Sequence, residues 1–454
     1  MEISMTRILE TFTLSLLFAA AVFGQENSGA GSKIFPYPIN QVTLDNGLKI
    51  VSIPFDSPGI IAYYTVVRTG SRNETEPGKS GFAHFFEHMM FRGTDKYPAD
   101  KYNDVLKSIG ADDNAFTEDD QTTFHNYCSA SALEQLMDLQ SDRFMNLKYS
   151  ESDFKTEAGA ILGEYNKNAS SPFQSIEEKT REAAFTKHTY SHTTIGYLRD
   201  IQNMPNEYQY SIDFFNRWYR PGNCTVVVVG DFQQDKLIEL AKKYYGGWKG
   251  VNYTLEVPQE PPQTAEKTVN ISWKAKTLPI LTIAYHAAAF SDKEIDMATM
   301  DLISQLTFSP TSDLYRKLVV QDQSVEFIEG DNGDHRDPEL FWIFTRIKDA
   351  KNIDKVRDQI YAALEDLKTK KVSDERLASI KSHVKYAYAM GLDNPDNVAA
   401  SICHYIGMTG DPESVNRLYA LYDTITPDDI QRIANKYFTA NSRTVVLLTG
   451  TEGQ

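Results

Sequence analysis

The stretch Gly81-Phe-Ala-His84-Phe-Phe-Glu87-His88-Met-Met-Phe91 decides how the rest of the chain is interpreted. Its apolar residues predict a buried helix. Positions i and i+4 of a helix share a face, so His84 and His88 can both reach one ion. Glu87 projects into the same sector, close enough to touch a water at the metal. This is the inverted form of the commoner His-Glu-x-x-His zinc helix.

Two histidines leave a zinc site short of one protein ligand, because catalytic zinc takes three and keeps one position for water. A second predicted helix, Glu151 to Lys167, carries Glu157 and Glu164. Seven residues are nearly two turns, so both carboxylates lie on one face. Glu164 could close the site as third ligand, and Glu157 could hydrogen-bond to a ligand or the water. We therefore predict one zinc ion per chain.

The remaining histidines are treated as structural: His125, His188, His192, His286, His335, His383 and His404. His188 and His192 are also four residues apart. The segment between them is a poor helix former, so we predict no second metal site there.

The bulk composition is that of an ordinary globular protein, with 41% hydrophobic and 24% charged residues among 454. The formal net charge of -16 argues against a nucleic-acid partner and against an anionic membrane surface. The acidity serves solubility, or it marks an acidic cavity that prefers basic peptides. The chain has three widely spaced cysteines, Cys128, Cys224 and Cys403, which we interpret as buried thiols. One disulfide in an oxidising compartment is the alternative.

The N-terminus predicts a targeting segment. Arg7 precedes a short apolar run, Leu14 to Phe23, and Gly24 stands at a plausible cleavage point. We therefore predict a signal peptide at residues 1–24 and a secreted or periplasmic bacterial protein, with an uncleaved anchor as the alternative. No later stretch has the length and hydrophobicity of a membrane span, so no stable membrane insertion is predicted.

The second half of the chain weakly repeats the first at an offset of 219 positions. Asn216-Arg-Trp-Tyr219 and the strand-like run Thr225 to Val229 are echoed by Asn435-Lys-Tyr-Phe438 and by Thr444 to Leu448. Ile280 to Ala287 similarly matches Ile61 to Arg68, and Phe116 to Tyr127 alternates like one strand. Unless the echo is coincidence, the fold is α+β, with two homologous domains of mixed or antiparallel sheet packed with helices. We place the domains at 25–256 and 265–454, with a proline-rich linker at 257–264.

These residues resemble the inverzincin metalloproteases of the pitrilysin/insulinase type, which include the mitochondrial processing peptidases. The likeness spans nearly the whole mature chain. It rests on the zinc helix, the Glu157-x6-Glu164 pair, Asn114-Ala-Phe-Thr117 and Trp218-Tyr-Arg-Pro221. It implies two homologous α+β domains per unit, and two such units that close around a peptide.

The resemblance also implies roles for individual residues. The zinc ligands would be His84, His88 and Glu164. Glu87 would activate the water, and Glu157 would assist as a second catalytic glutamate. A peptide substrate would add as a strand to Asn114, Ala115, Phe116 and Thr117. The expected activity is that of a zinc metalloendopeptidase, a hydrolase of extended peptides.

The second half departs from the family pattern. Asp296 to Thr307 contains no histidine, so one active site per chain is expected. Family members carry an arginine and a tyrosine that hold the substrate carbonyl, and those positions here hold Val319 and Glu326. We therefore expect a heterodimer with a related zinc-less subunit. A homodimer and a weakly active chain stay open.

Two other functions also stay open. One is a non-catalytic peptide-binding or scaffold subunit of the same family. The other is a zinc hydrolase of a different substrate class, such as an amidase.

Overall fold

The computed structural model describes residues 33–251 and 253–451 and contains two β-sheets, one from each half of the sequence. The predicted signal peptide at residues 1–24 lies outside the described residues. None of the helices in the described part is long and apolar enough to cross a membrane.

The first sheet has six strands, in the spatial order β1-β2-β6-β3-β5-β4. Their bounds are β1 Asn40–Thr43, β2 Lys49–Pro54, β3 Ile60–Val67, β4 Asp112–Thr117, β5 Thr122–Ser129 and β6 Cys224–Gly230. β2 and β6 pair in parallel, and the other neighbours pair antiparallel. β4 therefore lies at an edge of the sheet.

The second sheet has five strands, in the order β7-β11-β8-β10-β9. Their bounds are β7 Lys267–Trp273, β8 Ile280–His286, β9 Val325–Asp331, β10 Leu340–Ile347 and β11 Arg443–Gly450. β7 and β11 pair in parallel and the rest antiparallel. The predicted α+β class with mixed sheets is confirmed.

Fifteen α-helices lie in the described residues. Those of the first half are α1 Phe82–Met89, α2 Ala99–Ser108, α3 Leu133–Asn146, α4 Glu151–Asn168, α5 Pro172–Ala184, α6 Leu198–Asn203, α7 Tyr208–Trp218 and α8 Gln234–Tyr245. Those of the second half are α9 Ile295–Phe308, α10 Asp313–Tyr315, α11 Ile353–Thr369, α12 Asp374–Met390, α13 Pro395–Thr409, α14 Ser414–Thr424 and α15 Pro427–Tyr437.

The internal repeat is present in the structure. The bounds of α7 and α15 differ by 219 at both ends, and β6 and β11 both begin at positions 219 apart. The proposed linker at 257–264 falls between α8 and β7, where the described residues form neither helix nor strand. The domain boundaries themselves stay a prediction.

β6 is buried at every position, as expected for the continuous β-branched run Thr225 to Val229. Val226 and Val228 join the core that contains the aromatic residues of α1, whereas Val227 and Val229 join a core shared with the second half. α13 packs against β3 and β6 of the first sheet, and α5 packs against β7, β8 and β11 of the second. Each half thus contributes a helix to the sheet of the other.

The single strand predicted at Phe116 to Tyr127 is wrong. The structure has two antiparallel strands there, β4 and β5, joined by the turn Glu118-Asp-Asp-Gln121. These turn residues are polar and poor strand formers, and the alternation on either side concealed the reversal of the chain. The hairpin makes β4 an edge strand, beside which α1 packs.

Candidate metal centre

α1 begins at a tight approach of two loops. Gly81 precedes the helix with a φ of +92°, and a Cβ at this position would lie 2.5 Å from the Ile195 carbonyl oxygen. The buried Glu74 carboxylate accepts hydrogen bonds from the backbone N–H groups of Gly81 and Ala83, each at 2.7 Å. Helix N-termini leave such donors unpaired, so Glu74 serves as a cap supplied from outside the helix.

One face of α1 is aromatic and fully buried. The ring of Phe86 stacks on that of Phe214 from α7, with centroids 5.4 Å apart, and Phe85 lies 5.0 Å from Phe154 of α4. This packing fixes the rotation of α1 about its axis. The polar sector of the helix, which carries His84, Glu87 and His88, therefore faces α4.

α4 meets this sector with two carboxylates. Ser150 and Asp153 form a capping box at its start, and Phe154, Ala158 and Ile161 are buried along one face. Glu157 and Glu164 lie beside that apolar stripe and point toward α1. The predicted helix and the shared face of its two glutamates are both present.

Three donor atoms converge between α1 and α4. Glu164 Oε2 lies 3.3 Å from His88 Nε2 and 3.7 Å from His84 Nε2. The ligand atoms of these three residues all lie within 4.8 Å of one another, and no other metal-type cluster occurs among residues 33–251 and 253–451. The spacing is that of groups arranged around a shared centre.

This donor set fits zinc. Two imidazole nitrogens and one carboxylate oxygen are the ligands of a catalytic zinc site that keeps one position open. Glu164 Oε2 is buried without a properly oriented hydrogen bond, as expected of an atom placed to bind an ion. Although burial favours neutral imidazole, the hydrogen bond to Glu157 and the nearby carboxylates of Glu164 and Glu87 raise the pKa of His88 to about 9. Binding of a metal at this site would therefore displace a proton.

Glu157 lies behind His88 rather than beside the open side of the cluster. Its Oε1 is 3.0 Å from His88 Nδ1, so the other ring nitrogen, Nε2, is turned toward Glu164. Arg92 donates from Nε to Glu157 Oε2 at 2.5 Å. Burial opposes ionisation of Glu157, but the hydrogen bonds from His88 and Arg92 keep its pKa below the usual value. Arg92 was missed, although it stands one helical turn after His88.

Glu87 occupies the same sector of α1 as the two histidines and is partly exposed. In the described part of the chain, no group donates a hydrogen bond to its carboxylate. Burial lowers the pKa of His84, and the negative charge of Glu87 opposes that effect, so the two side chains interact electrostatically. The carboxylate is thus available to accept a proton from a small molecule in the site.

The candidate peptide-binding residues lie on β4. Asn114 to Thr117 pair with β5 on one side only, and within the described residues no strand lies on the other side. Asn114 is a strand residue, and its Oδ1 accepts a hydrogen bond from the N–H of Ala115 at 2.9 Å. An edge strand of this kind can accept a further extended chain.

The other residues highlighted by the sequence have local partners. His188 Nε2 lies 2.9 Å from Asp337, and His192 Nδ1 lies 2.9 Å from the Thr193 carbonyl oxygen, so each binds a different group. The three cysteines are buried and unpaired. Glu326 forms an ion pair with Arg346 at 3.2 Å.

Sequence models of one peptidase family match both halves of the chain. The model described as insulinase (peptidase family M16) matches residues 61–197, which include all three donor residues and Glu87. The model described as peptidase M16 inactive domain matches residues 207–384. The change of model falls between residues 197 and 207, so the second match includes β6 of the first sheet.

Individual proteins are similar over most of the chain. Zinc protease PqqE of Helicobacter pylori is 28% identical over 413 residues, which are 90% of this chain and 92% of that protein. A probable mitochondrial-processing peptidase subunit beta of Arabidopsis thaliana is 23% identical over 87% of this chain and 75% of its own length. The crystal structure of a protease from Helicobacter pylori matches with a TM-score of 0.85 at 27% identity, covering 91% of this chain and 99% of the other.

Proposed function

Because the chain belongs to peptidase family M16, the insulinase family, we propose that it is a zinc-dependent endopeptidase that hydrolyses extended peptides. The observation that carries this proposal is the convergence of His84 Nε2, His88 Nε2 and Glu164 Oε2. Zinc proteases among its relatives support the reaction class.

In the proposed reaction, His84, His88 and Glu164 would hold a zinc ion, which would supply a Lewis acid for the scissile carbonyl and for a water. Glu87 accepts the proton of the attacking water and later returns it to the leaving amine. Glu157 acts through His88, because its hydrogen bond to Nδ1 fixes the orientation of the ring. Arg92 keeps Glu157 ionised and holds it in place.

The substrate strand is assigned to β4. A peptide that pairs with Asn114 to Thr117 is held by backbone hydrogen bonds, so its side chains have little influence on this part of the binding energy. Such pairing requires an extended segment. We therefore propose unfolded or flexible peptides as the substrate class.

We further propose a related zinc-less partner subunit. Val319 has no polar group, and the carboxylate of Glu326 is paired with Arg346, so neither can stabilise a developing oxyanion. One relative is itself named as a subunit of a processing peptidase.

Val319 and Glu326 also support the second candidate function, a non-catalytic peptide-binding subunit. A secreted or periplasmic location remains part of the proposal and rests on the sequence of residues 1–24.

Zinc analysis combined with peptide cleavage tests the proposal. The purified chain is expected to bind one equivalent of zinc and to cleave a fluorogenic peptide library once the zinc-less partner is added. Full zinc occupancy without cleavage in either arm would favour the non-catalytic subunit. Full turnover by the chain alone would contradict the proposed heterodimer. Cleavage of simple amides but not of peptides would favour an amidase.

A further inference from the structure

Arg143 on α3 is a fully buried cation, with a side chain 1% exposed. Within the described residues, none of its three guanidinium nitrogens has a hydrogen-bond partner. Its guanidinium carbon lies 4.9 to 5.6 Å from the centroids of four aromatic rings: Phe91, Tyr102, Phe124 and Phe144. Aromatic faces attract a desolvated cation, but burial of an unpaired charge is costly. A buried charge of this kind calls for a reason beyond packing.

Two of these rings connect Arg143 to the proposed active site. Phe91 lies in the turn Met90–Arg92, two residues after the end of α1, which carries His84 and His88, and its ring centroid is 5.2 Å from the guanidinium carbon. Tyr102 of α2 lies 5.3 Å away and donates its hydroxyl to Asp113 Oδ2 at 3.1 Å. Asp113 belongs to β4 and directly precedes Asn114.

Asp113 is the centre of a network behind β4. Asn126 of β5 donates to Asp113 Oδ1 at 2.6 Å, and Gln140 of α3 donates to both Tyr102 Oη and Asn126 Oδ1, at 3.1 and 2.8 Å. Burial raises the pKa of Asp113, while the positive charge of Arg143 opposes this. The edge strand is thereby tied to two helices and to its neighbouring strand.

The second half of the chain repeats the fold of the first, so the position equivalent to Arg143 can be compared. At the offset of 219 positions, Arg143 corresponds to Ala362, which lies on α11. The repeated fold therefore forms without a buried arginine at this position. The cation is present in the half that carries the metal cluster.

We propose that Arg143, Tyr102 and Asp113 are positioning residues that hold β4 in the extended form needed to pair with a peptide substrate. The proposal rests on the assignment of β4 as the substrate strand. An edge strand has one neighbour and frays easily. The hydrogen bonds around Asp113 restrain β4 from the side of the protein core. A peptide therefore does not have to order this strand when it binds.

Peptide binding to a non-hydrolysing parent tests this directly. Zinc-loaded E87Q is titrated with a fluorescein-labelled peptide of about a dozen residues, long enough to span β4, and its Kd is measured by anisotropy. We expect Y102F and D113N in this background to raise the Kd about fivefold to twentyfold at unchanged zinc content. Y102F retains the ring over Arg143 and removes the hydroxyl alone, so the core stays filled.

Asp104→Asn is the matched control, because Asp104 is an exposed carboxylate on the same helix as Tyr102. It is expected to leave the Kd unchanged. In chains that retain Glu87, assayed with the zinc-less partner present, Y102F is expected to raise KM and leave kcat unchanged. Amide hydrogen exchange is expected to accelerate at Asn114 to Thr117 but not in α3.

An unchanged Kd for both Y102F and D113N, with lowered thermal stability, would show that the network serves the fold alone and would overturn the proposal. Failure of E87Q to bind any peptide would overturn it together with the assignment of β4. Peptide binding without hydrolysis by the wild-type chain in the presence of the zinc-less partner would overturn the peptidase proposal, while the comparison of Kd values would still decide the role of the network.

Discussion

His88 stands between two carboxylates, with Glu157 3.0 Å from Nδ1 and Glu164 3.3 Å from Nε2. One carboxylate therefore fixes the ring, and the other shares the proposed metal with it. Removal of either is expected to weaken the site, but for different reasons.

Glu157→Ala is expected to lower zinc affinity roughly 10- to 100-fold, because loss of a partner behind a metal-bound histidine has effects of this size. Competition with a chromogenic chelator measures the change. Glu151→Ala is the control, since Glu151 is an exposed residue in the first turn of the same helix. Unchanged affinity in the Glu157 variant would show that His88 does not depend on this contact.

Glu87→Gln is expected to reduce kcat by about 10² to 10⁴, the range of general-base catalysis, while the zinc content stays at one equivalent. The amide keeps the size of the side chain but cannot accept the proton. Fluorogenic peptide cleavage and metal analysis on the same preparation measure both quantities. Wild-type turnover in this variant would refute the assigned role.

Glu74→Gln is expected to change how stability depends on pH. Burial raises the pKa of Glu74 to about 8, against the opposing effect of backbone hydrogen bonds from Ala83 and Gly81. A raised folded-state pKa gives stability that is complete below the ordinary value of 4.5 and is lost as the pH rises through about 8. The metal-free wild type should therefore lose more stability across this window than E74Q. Urea denaturation at both ends of the window tests this, and parallel losses in the two proteins would contradict it.

Gly407→Ala is expected to destabilise the chain by about 1–3 kcal/mol, the usual cost of overpacking. A Cβ on Gly407 of α13 would lie 1.6 Å from Gln121 Oε1 and 2.5 Å from its Cδ. Gln121 is buried and donates to Glu118 at 3.0 Å, so moving its side chain aside disturbs both its packing and that bond.

Gly159→Ala is the control for this substitution. Gly159 lies within α4, with nothing within 4 Å of the added Cβ. The alanine is expected to stabilise the chain by about 0.5–1 kcal/mol through helix propensity. Urea denaturation curves that show equal effects for the two substitutions would refute the close contact between α13 and the β4–β5 turn.

The metal cluster was predictable because its chemistry depends on local spacing. His84 and His88 share a helix face, as do Glu157 and Glu164, and such periods are visible in a sequence. The spacing within each helix did not show that Glu157 would lie behind His88. That depends on the rotation of α4 against α1, which is fixed by the contact between Phe85 and Phe154.

Other features had no sequence signal. Glu74 caps a helix that starts eight positions later in the chain, whereas the familiar capping patterns place the side chain next to the helix. The apolar stripes of α5 and α13 predict that each helix is buried, but not which sheet covers it. The hairpin at β4 and β5 was missed because both strands alternate in the same way.

The exchange of α5 and α13 between the sheets limits how this chain can move. Swinging the two halves apart would strip a buried helix from each sheet and expose both cores. We therefore expect the two halves of the chain to move together as one rigid body, without a hinge between them. A substrate would then enter through an opening at the interface with the proposed partner subunit. The strength of that interface would set how often the site is accessible.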